Sequence, residues 1–168
     1  MKKTFLYLLI AIALPLTLHA QDTILVKSQA NMVAKAMIAG DYKTLVNYMY
    51  PKAVQMGGGK EKMIALVTTG IQQMKNQGVT FESVKVDAPA KFYKAGTEIH
   101  CLLPETIILQ LPNARIASHS SMLGISSDGG KSWSFLDMNN SSAAQVKQIL
   151  PNFNPALQIP KATTERLD

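Results

Sequence analysis

The feature that most constrains the fold of this chain is a change of hydrophobic period at Gly78. Before it, apolar residues recur at helical spacing, and after it they alternate as in β-strands as far as Met138. The first part predicts three helices, at residues 22–39, 41–50 and 60–77. The second part predicts a meander of four or five antiparallel strands. Helices and antiparallel strands that are segregated along the chain define an α+β domain.

The strand-forming half divides at turn residues. The predicted strand regions are residues 79–86, then 91–103 with an interrupting turn at 94–96, then 105–111 and 115–126, and a final hairpin that ends at residue 138. In the first strand, the apolar parity changes between Phe81 and Val84, which predicts a β-bulge near Glu82 and Ser83. A short helix is expected to begin at residues 141–142 and to end at Leu150. An extended tail then runs to residue 168.

The hairpin from Ile125 to Met138 carries the clearest motif, ISSDGGKSWSFLDM. Its pattern Ser126-x-Asp128-x-Gly130-x-x-Trp133 resembles the Asp box of sialidase propellers. Asp128 suits a turn because its carboxylate accepts backbone N–H groups, and Gly130 tolerates a positive φ. Trp133 is predicted to pack beneath the turn. A propeller requires several blades with repeated boxes, and this chain has one box, so the motif predicts a hairpin rather than a propeller.

The N-terminus predicts export. Lys2 and Lys3 precede an apolar run at residues 5–18, and a small residue, Ala20, stands at the expected cut. This run is short for a membrane span and is typical of a secretory signal peptide over residues 1–20, with an uncleaved anchor as the alternative. The chain then divides into a domain at 21–140 and a short helix and tail at 141–168. We expect no integral membrane segment after processing, and a location in the periplasm, at the cell surface or outside the cell.

Charge and rare residues exclude several classes of function. Cleavage removes Lys2 and Lys3, so Lys plus Arg falls from 17 to 15 against 11 acidic residues, a net charge of +4. The lysines are scattered and there are two arginines, so we expect no nucleic-acid partner. The single cysteine, Cys101, cannot form an internal disulfide and is predicted to be a buried hydrophobe. Two histidines, His100 and His119, remain after cleavage, and their spacing does not match a metal-binding motif. The sequence therefore predicts no metal site. No cofactor is expected.

Three stretches together resemble the nuclear transport factor 2-like superfamily, also called SnoaL-like. They are GDYKTLVNY at 40–48, GGGKEKM at 57–63 and DGGKSWSF at 128–135. Small exported proteins of this kind are familiar from Bacteroidetes-like bacteria. The resemblance implies a cone, in which three helices pack in the concavity of a curved antiparallel sheet. Some members use the conical pocket for small apolar ligands or for acid–base chemistry, and others are dimeric or structural. None of these stretches is catalytic in the family, so no active residue is carried over.

Strand alternation provides a way to look for a site in such a pocket. Arg115 and His119 share one face of their strand, and Asp137 ends the last strand. An acid–base pair of Asp137 with His119 would suit proton transfer near neutral pH, with Tyr48 or Tyr50 as a donor to a developing oxyanion. The candidate pocket residues are Tyr48, Tyr50, Arg115, His119 and Trp133.

The alternative interpretation is structural, and the residues favour it. It places Glu98, His100 and His119 on the solvent side of a half-exposed sheet, with Asp137 capping the turn at residues 139–140. The function expected from the sequence is therefore non-enzymatic binding of a small apolar ligand or a protein partner. A small isomerase or dehydratase and a structural homodimer are the alternatives.

Overall fold

A computed structural model describes residues 18–139 and 143–168 of the chain. The helices are α1 Leu18–Ala39, α2 Tyr42–Tyr48, α3 Pro51–Met56, α4 Lys60–Asn76 and α5 Ala143–Ile149. The strands are β1 Thr80–Val86, β2 Phe92–Ala95, β3 Glu98–Leu111, β4 Ala114–Ser126, β5 Ser134–Asp137 and β6 Thr163–Arg166. The α+β class predicted from the sequence is confirmed.

The strands form one curled antiparallel sheet, a half-barrel built around β3 and β4. Its order is β1-β3-β4-β5, with β2 paired to β3 and β6 paired to β4. β3 and β4 are joined by a two-residue turn, Pro112-Asn113, and pair along thirteen positions from Ile99↔Ser126 to Leu111↔Ala114. This long hairpin sets which side chains of the two strands share a face.

Both faces of the sheet carry a hydrophobic core. On one face, helical residues such as Val26, Ala30 and Leu45 pack with Cys101 and Leu103. On the other face, the second core comprises Leu123, Ile125, Met138, Val146, Leu150, Phe153 and Leu157. The chain after β5 therefore covers the sheet face that the helices leave uncovered, and Cys101 is buried as predicted.

Local residues account for the helix boundaries around α2 and α3. Asp41 is the N-cap of α2 and accepts a hydrogen bond from the Thr44 N–H at 3.0 Å. Tyr50 leaves the helical region, as a residue before proline should, with φ −57° and ψ 124°. The predicted helix at 41–50 ends earlier, at Tyr48, and Pro51 begins the additional short helix α3 at a position where its missing N–H costs nothing.

In the strand half, the bulge in β1 is confirmed by a register shift between Phe81 and Ser83. The predicted break between 103 and 105 is wrong, because β3 runs through Pro104. On that side of β3, Glu105 pairs with β1 and Cys101 pairs with β2, so Pro104 lies in the gap between two partner strands. A proline is tolerated there because no neighbouring strand requires its N–H.

The C-terminal segment is more ordered than a tail. Phe153 and Leu157 are buried, and the chain then adds β6, a strand that the sequence analysis did not predict, to the edge of β4. The predicted start of the last helix at 141–142 lies outside the described residues. So does most of the predicted signal peptide, of which residues 18–20 begin α1. No helix in the two described ranges has the length and apolarity needed to cross a membrane.

Candidate functional site

The register of the sheet separates the two residues proposed as an acid–base pair. Asp137 pairs with Met122, so its side chain lies on the helix side of the sheet. His119 is three residues before Met122 and projects from the opposite face. There its Nδ1 lies 3.1 Å from the Thr106 hydroxyl and its Nε2 lies 3.3 Å from Glu165 Oε1 in β6. The structure therefore does not bring Asp137 and His119 together.

A cavity of about 140 Å³ lies between the helices and the helix side of the sheet. We call it the apolar cavity. Its helical wall is formed by Val33, Met37, Leu45, Tyr48, Met49, Ala53 and Met63. Its sheet wall is formed by Glu105, Ile107, Met122, Phe135, Leu136 and Asp137. Two carboxyl groups in an otherwise apolar wall mark this cavity as the candidate site.

Glu105 is the residue that the sequence analysis missed. Its side chain lies on the inward face of β3, between Leu103 and Ile107, and the residue is 3% exposed. Glu105 Oε2 accepts a hydrogen bond from the Ser120 hydroxyl at 3.4 Å. Within the described part of the chain, Oε1 has no hydrogen-bond partner. The sequence did contain a signal, because Glu105 occupies a position at which the alternation of β3 predicts an apolar residue.

The surroundings of Glu105 favour its neutral form. Burial, followed by the nearby charge of Asp137, raises the pKa of the Glu105 carboxyl to about 7, against the opposing effect of the Ser120 hydrogen bond. A carboxyl group with this pKa exchanges its proton near neutral pH. In the cavity it can therefore act as a hydrogen-bond donor, as an acceptor or as a base.

Asp137 caps a turn and also lines the apolar cavity, but it is not paired with His119. It is exposed at the end of β5, and its Oδ1 accepts a hydrogen bond from the Asn139 N–H at 2.8 Å. This is the turn cap that the structural interpretation expected. Asp137 also lies on the wall of the apolar cavity. It therefore brings a negative charge to the edge of the site that Glu105 occupies.

The other predicted pocket residues are dispersed. Tyr48 lines the apolar cavity, and its hydroxyl donates to Met32 Sδ at 3.1 Å. Arg115 lies near the far end of the β3–β4 hairpin, where its Nε and Nη2 donate to Glu82 at 2.9 and 2.5 Å. Tyr50 faces a different part of the molecule and donates to Glu98 Oε1 at 3.3 Å. Of the predicted group, only Tyr48 and Asp137 contribute to the apolar cavity.

The hairpin motif has the structural role expected of it. Asp128 Oδ1 accepts hydrogen bonds from the Lys131 N–H at 3.0 Å and from the Ser132 N–H at 2.9 Å. It also accepts one from the Ser126 hydroxyl at 2.8 Å. The other oxygen, Oδ2, accepts a hydrogen bond from the Ser132 hydroxyl at 2.6 Å. The bonds from Ser132 are the main cause that lowers the pKa of Asp128 to about 2. Gly130 has φ +93°. Trp133 is buried beneath the turn, and its Nε1–H donates to the Gly130 carbonyl at 3.1 Å.

The expectation that His100 faces solvent is wrong. His100 is completely buried, because the C-terminal segment covers this face and stacks Phe153 on the imidazole with ring centroids 6.2 Å apart. His100 Nε2 lies 3.2 Å from Glu98 Oε2. Burial lowers the pKa of His100, although Glu98 opposes that effect. The sequence analysis expected one face of the sheet to be exposed, but at His100 the sheet is covered on both faces.

Comparison of the chain with protein-family models, curated proteins and solved structures found no match. In the described residues, no three side chains of the types His, Cys, Asp and Glu are grouped as a metal ion would require. Cys101 is buried and its thiol pKa is raised to about 12, mainly by desolvation, so it is not an activated nucleophile. The chemistry of the site is therefore that of its carboxyl groups, in particular Glu105.

Proposed function

We propose that this chain is an exported, non-enzymatic domain that binds a small apolar molecule in the apolar cavity. We further propose that its helices and curled sheet form a cone of the nuclear transport factor 2-like kind, with the cavity inside the cone. The observation that carries the proposal is the buried Glu105 carboxyl in a wall that is apolar except for Glu105, Asp137 and the Tyr48 hydroxyl. Such a wall binds the apolar part of a ligand, and a fixed polar group orients it.

The size of the cavity limits the ligand. A cavity of about 150 Å³ with apolar walls accommodates a molecule the size of benzene, and this one measures about 140 Å³. Oε1 of Glu105 has no partner among the described residues, so a ligand hydroxyl is the matching group. The ligand class is thus a single ring or short chain that carries one hydroxyl. At a ceiling of about 1.5 kcal/mol per non-hydrogen atom, a ligand of about seven such atoms gains roughly 10 kcal/mol, so the dissociation constant is expected to be on the order of tens of nanomolar at the tightest.

Binding is tested by titrating the protein with phenol and, in parallel, with benzene, while amide shifts are recorded by NMR. We expect saturable shifts at residues of the cavity wall, with phenol binding more tightly than benzene. Glu105→Gln should reduce the preference for phenol. Ala53→Met fills the cavity and should abolish binding, whereas Ala65→Met on the exposed face of α4 is the matched control. Shifts that are unchanged in Ala53→Met would show that the ligand binds elsewhere.

A second function, proton transfer of the isomerase or dehydratase type, is favoured by one observation. The pKa of Glu105 is raised to about 7, which is the value that suits a general base at neutral pH. A small cyclic ketone in deuterated water tests it, because a base that removes the α-proton would return a deuteron. Deuterium incorporation above the buffer rate that is lost in Glu105→Gln would establish this activity. Deuterium incorporation equal to the buffer rate would contradict proton transfer, and ligand binding would then be the one proposed function of the cavity.

Export is tested separately, by expressing the full chain in a Gram-negative host and sequencing the N-terminus of the product. A mature protein that begins at Gln21 would support the predicted signal peptide. A product that retains Lys2 and Lys3 and sediments with membranes would support the uncleaved anchor instead.

A further inference from the structure

A second depression, the polar groove, lies next to the apolar cavity and differs from it in chemistry. Met49 borders both and forms an isolated β-bridge with Phe135, so this backbone contact stands between the two sites. The groove has a volume of about 560 Å³. It lies between the α2–α3 junction, the start of β3 and the Asp-box hairpin. Its polar rim is formed by Asn47, Lys52, Gln55, Ser127, Ser132 and Ser134.

The floor of the polar groove holds a carboxylate that is fixed in position. The Glu98 side chain is 15% exposed and lines the groove. Its Oε1 accepts a hydrogen bond from the Tyr50 hydroxyl at 3.3 Å, and its Oε2 lies 3.2 Å from Nε2 of the buried His100. One partner comes from the α2–α3 junction, and the other is two residues further along β3 on the same face of the strand. The two partners hold the two oxygens in a defined orientation.

Both partners of Glu98 are placed to donate hydrogen bonds to its oxygens. Burial and the charge of Glu98 raise the pKa of Tyr50. The phenol therefore keeps its proton and donates a hydrogen bond to Glu98. Burial lowers the pKa of His100, and a neutral imidazole with its proton on Nε2 donates to Glu98. Each carboxylate oxygen then has one donor from the protein and a further lone pair. The remaining lone pairs on Glu98 Oε1 and Oε2 can accept two further hydrogen bonds. The distance between these two oxygens suits two hydroxyl groups on adjacent carbon atoms.

The rest of the groove selects against a charged ligand. Lys52, in α3, brings a positive charge to the groove that offsets the charge of Glu98 in β3, and these two are the charged members of the lining in the described chain. The amides of Asn47 and Gln55 offer both donors and acceptors. Pro51 and Ile125 supply apolar surface beside them. A sugar ring has this same combination, since its hydroxyls lie at the edge and its C–H groups form an apolar face.

We propose that the polar groove is a saccharide-binding site, in which Glu98 accepts hydrogen bonds from two neighbouring hydroxyls of a neutral sugar. The volume of about 560 Å³ lies within the range of ligand sites, roughly 300–1,000 Å³, and has room for one or two rings. The site is independent of the apolar cavity, because none of its polar residues lines that cavity.

The test is an NMR titration of the full-length mature protein with glucose, galactose, mannose, N-acetylglucosamine, maltose and cellobiose, each to about 100 mM. We expect at least one sugar to cause saturable shifts at groove residues. A deoxy derivative of that sugar, which lacks one hydroxyl of the pair, should bind at least tenfold more weakly. Glu98→Gln should weaken binding by a similar factor, while Glu82→Gln, an exposed acid outside the groove, should leave it unchanged.

A second variant keeps the test decisive if Glu98→Gln does not fold. Gln55 is exposed at the groove wall, so Gln55→Trp narrows the groove without altering the Tyr50–Glu98–His100 contacts, and it should abolish sugar shifts. Three results would overturn the proposal: no saturable shift from any sugar, sugar binding that survives both Glu98→Gln and Gln55→Trp, or saturable binding of ethylammonium in place of every sugar. The last result would make the groove a cation site.

Discussion

Replacing Glu105 by glutamine should change how the stability of the protein depends on pH. In the native state the pKa of this carboxyl is raised from 4.5 to about 7 by burial and by Asp137. Between these two values, the native state holds a proton that the unfolded chain has released. Stability therefore falls as pH rises through this window. Glutamine resembles the protonated carboxyl in shape and does not titrate, so this part of the pH dependence should disappear.

The magnitude follows from the size of the shift. Each pKa unit corresponds to about 1.4 kcal/mol, so ionising Glu105 in the native state costs about 3 kcal/mol in total. Part of this cost is already present at pH 5, because the unfolded carboxyl begins to ionise below that pH. Relative to the natural protein, Glu105→Gln should therefore gain about 2 to 3 kcal/mol of unfolding free energy between pH 5 and pH 8.

Urea unfolding monitored by the fluorescence of Trp133, the single tryptophan of the chain, measures this difference. His100 has a lowered pKa, which makes stability rise with pH, but it is present in both proteins and cancels in the comparison. Glu61→Gln, at an exposed acid of α4, is the matched control and should show no such gain. An advantage of Glu105→Gln that is the same at pH 5 and pH 8 would refute the reasoning.

Four further predictions concern the packing and the turns of the fold. Gly124→Ala should destabilise the protein by about 1 to 3 kcal/mol, because the added Cβ would lie 3.0 Å from Cys101 Sγ and 3.2 Å from a Leu103 methyl group. Gly70→Ala, in α4 with no atom within 4 Å of the new Cβ, should stabilise it by about 0.5 to 1 kcal/mol, and a thermal melt that ranks the two variants in the opposite order would contradict the packing described. The carboxyl of Asp128 should titrate near pH 2 in a carbon-detected NMR experiment, because the bonds from Ser132 stabilise its ionised form, and a midpoint near 4 would show that the turn is not formed in solution. Phe153→Ala should cost about 3 to 5 kcal/mol in urea unfolding, whereas the exposed Gln158→Ala should cost almost nothing, and equal effects would mean that the C-terminal segment does not cover the sheet.

The sequence was sufficient wherever a few neighbouring residues decide the structure. The bulge after Phe81 is a register shift against β3, and a change of apolar parity within a few residues of β1 indicated it. The helix ending before Gly78, the cap at Asp41 and the Asp-box turn are settled by contacts within about four positions. Hydrogen bonds and backbone conformations over such short separations depend little on the rest of the chain. These predictions are therefore the ones that the structure confirms.

The sequence was insufficient for the faces of the sheet. Alternation assigns residues to two faces, but it does not say whether each face is covered, and so His100 was placed in solvent. The structure covers that face with a segment about fifty residues later in the chain, which includes Phe153. Similarly, β6 was unpredictable because its residues are polar and exposed, and only its pairing with β4 makes it a strand.

The sequence by itself determined the α+β class, the order of helices and strands and the local turns, because hydrophobic period and turn chemistry act over short stretches. The tertiary structure alone decided the site. Glu105 and Asp137 are thirty-two positions apart, and they meet at one cavity because Ser120 pairs with Glu105 while Met122 pairs with Asp137. A shift of one residue in either pairing would turn one of these carboxyl groups away from the cavity, because side chains alternate between the faces of a sheet.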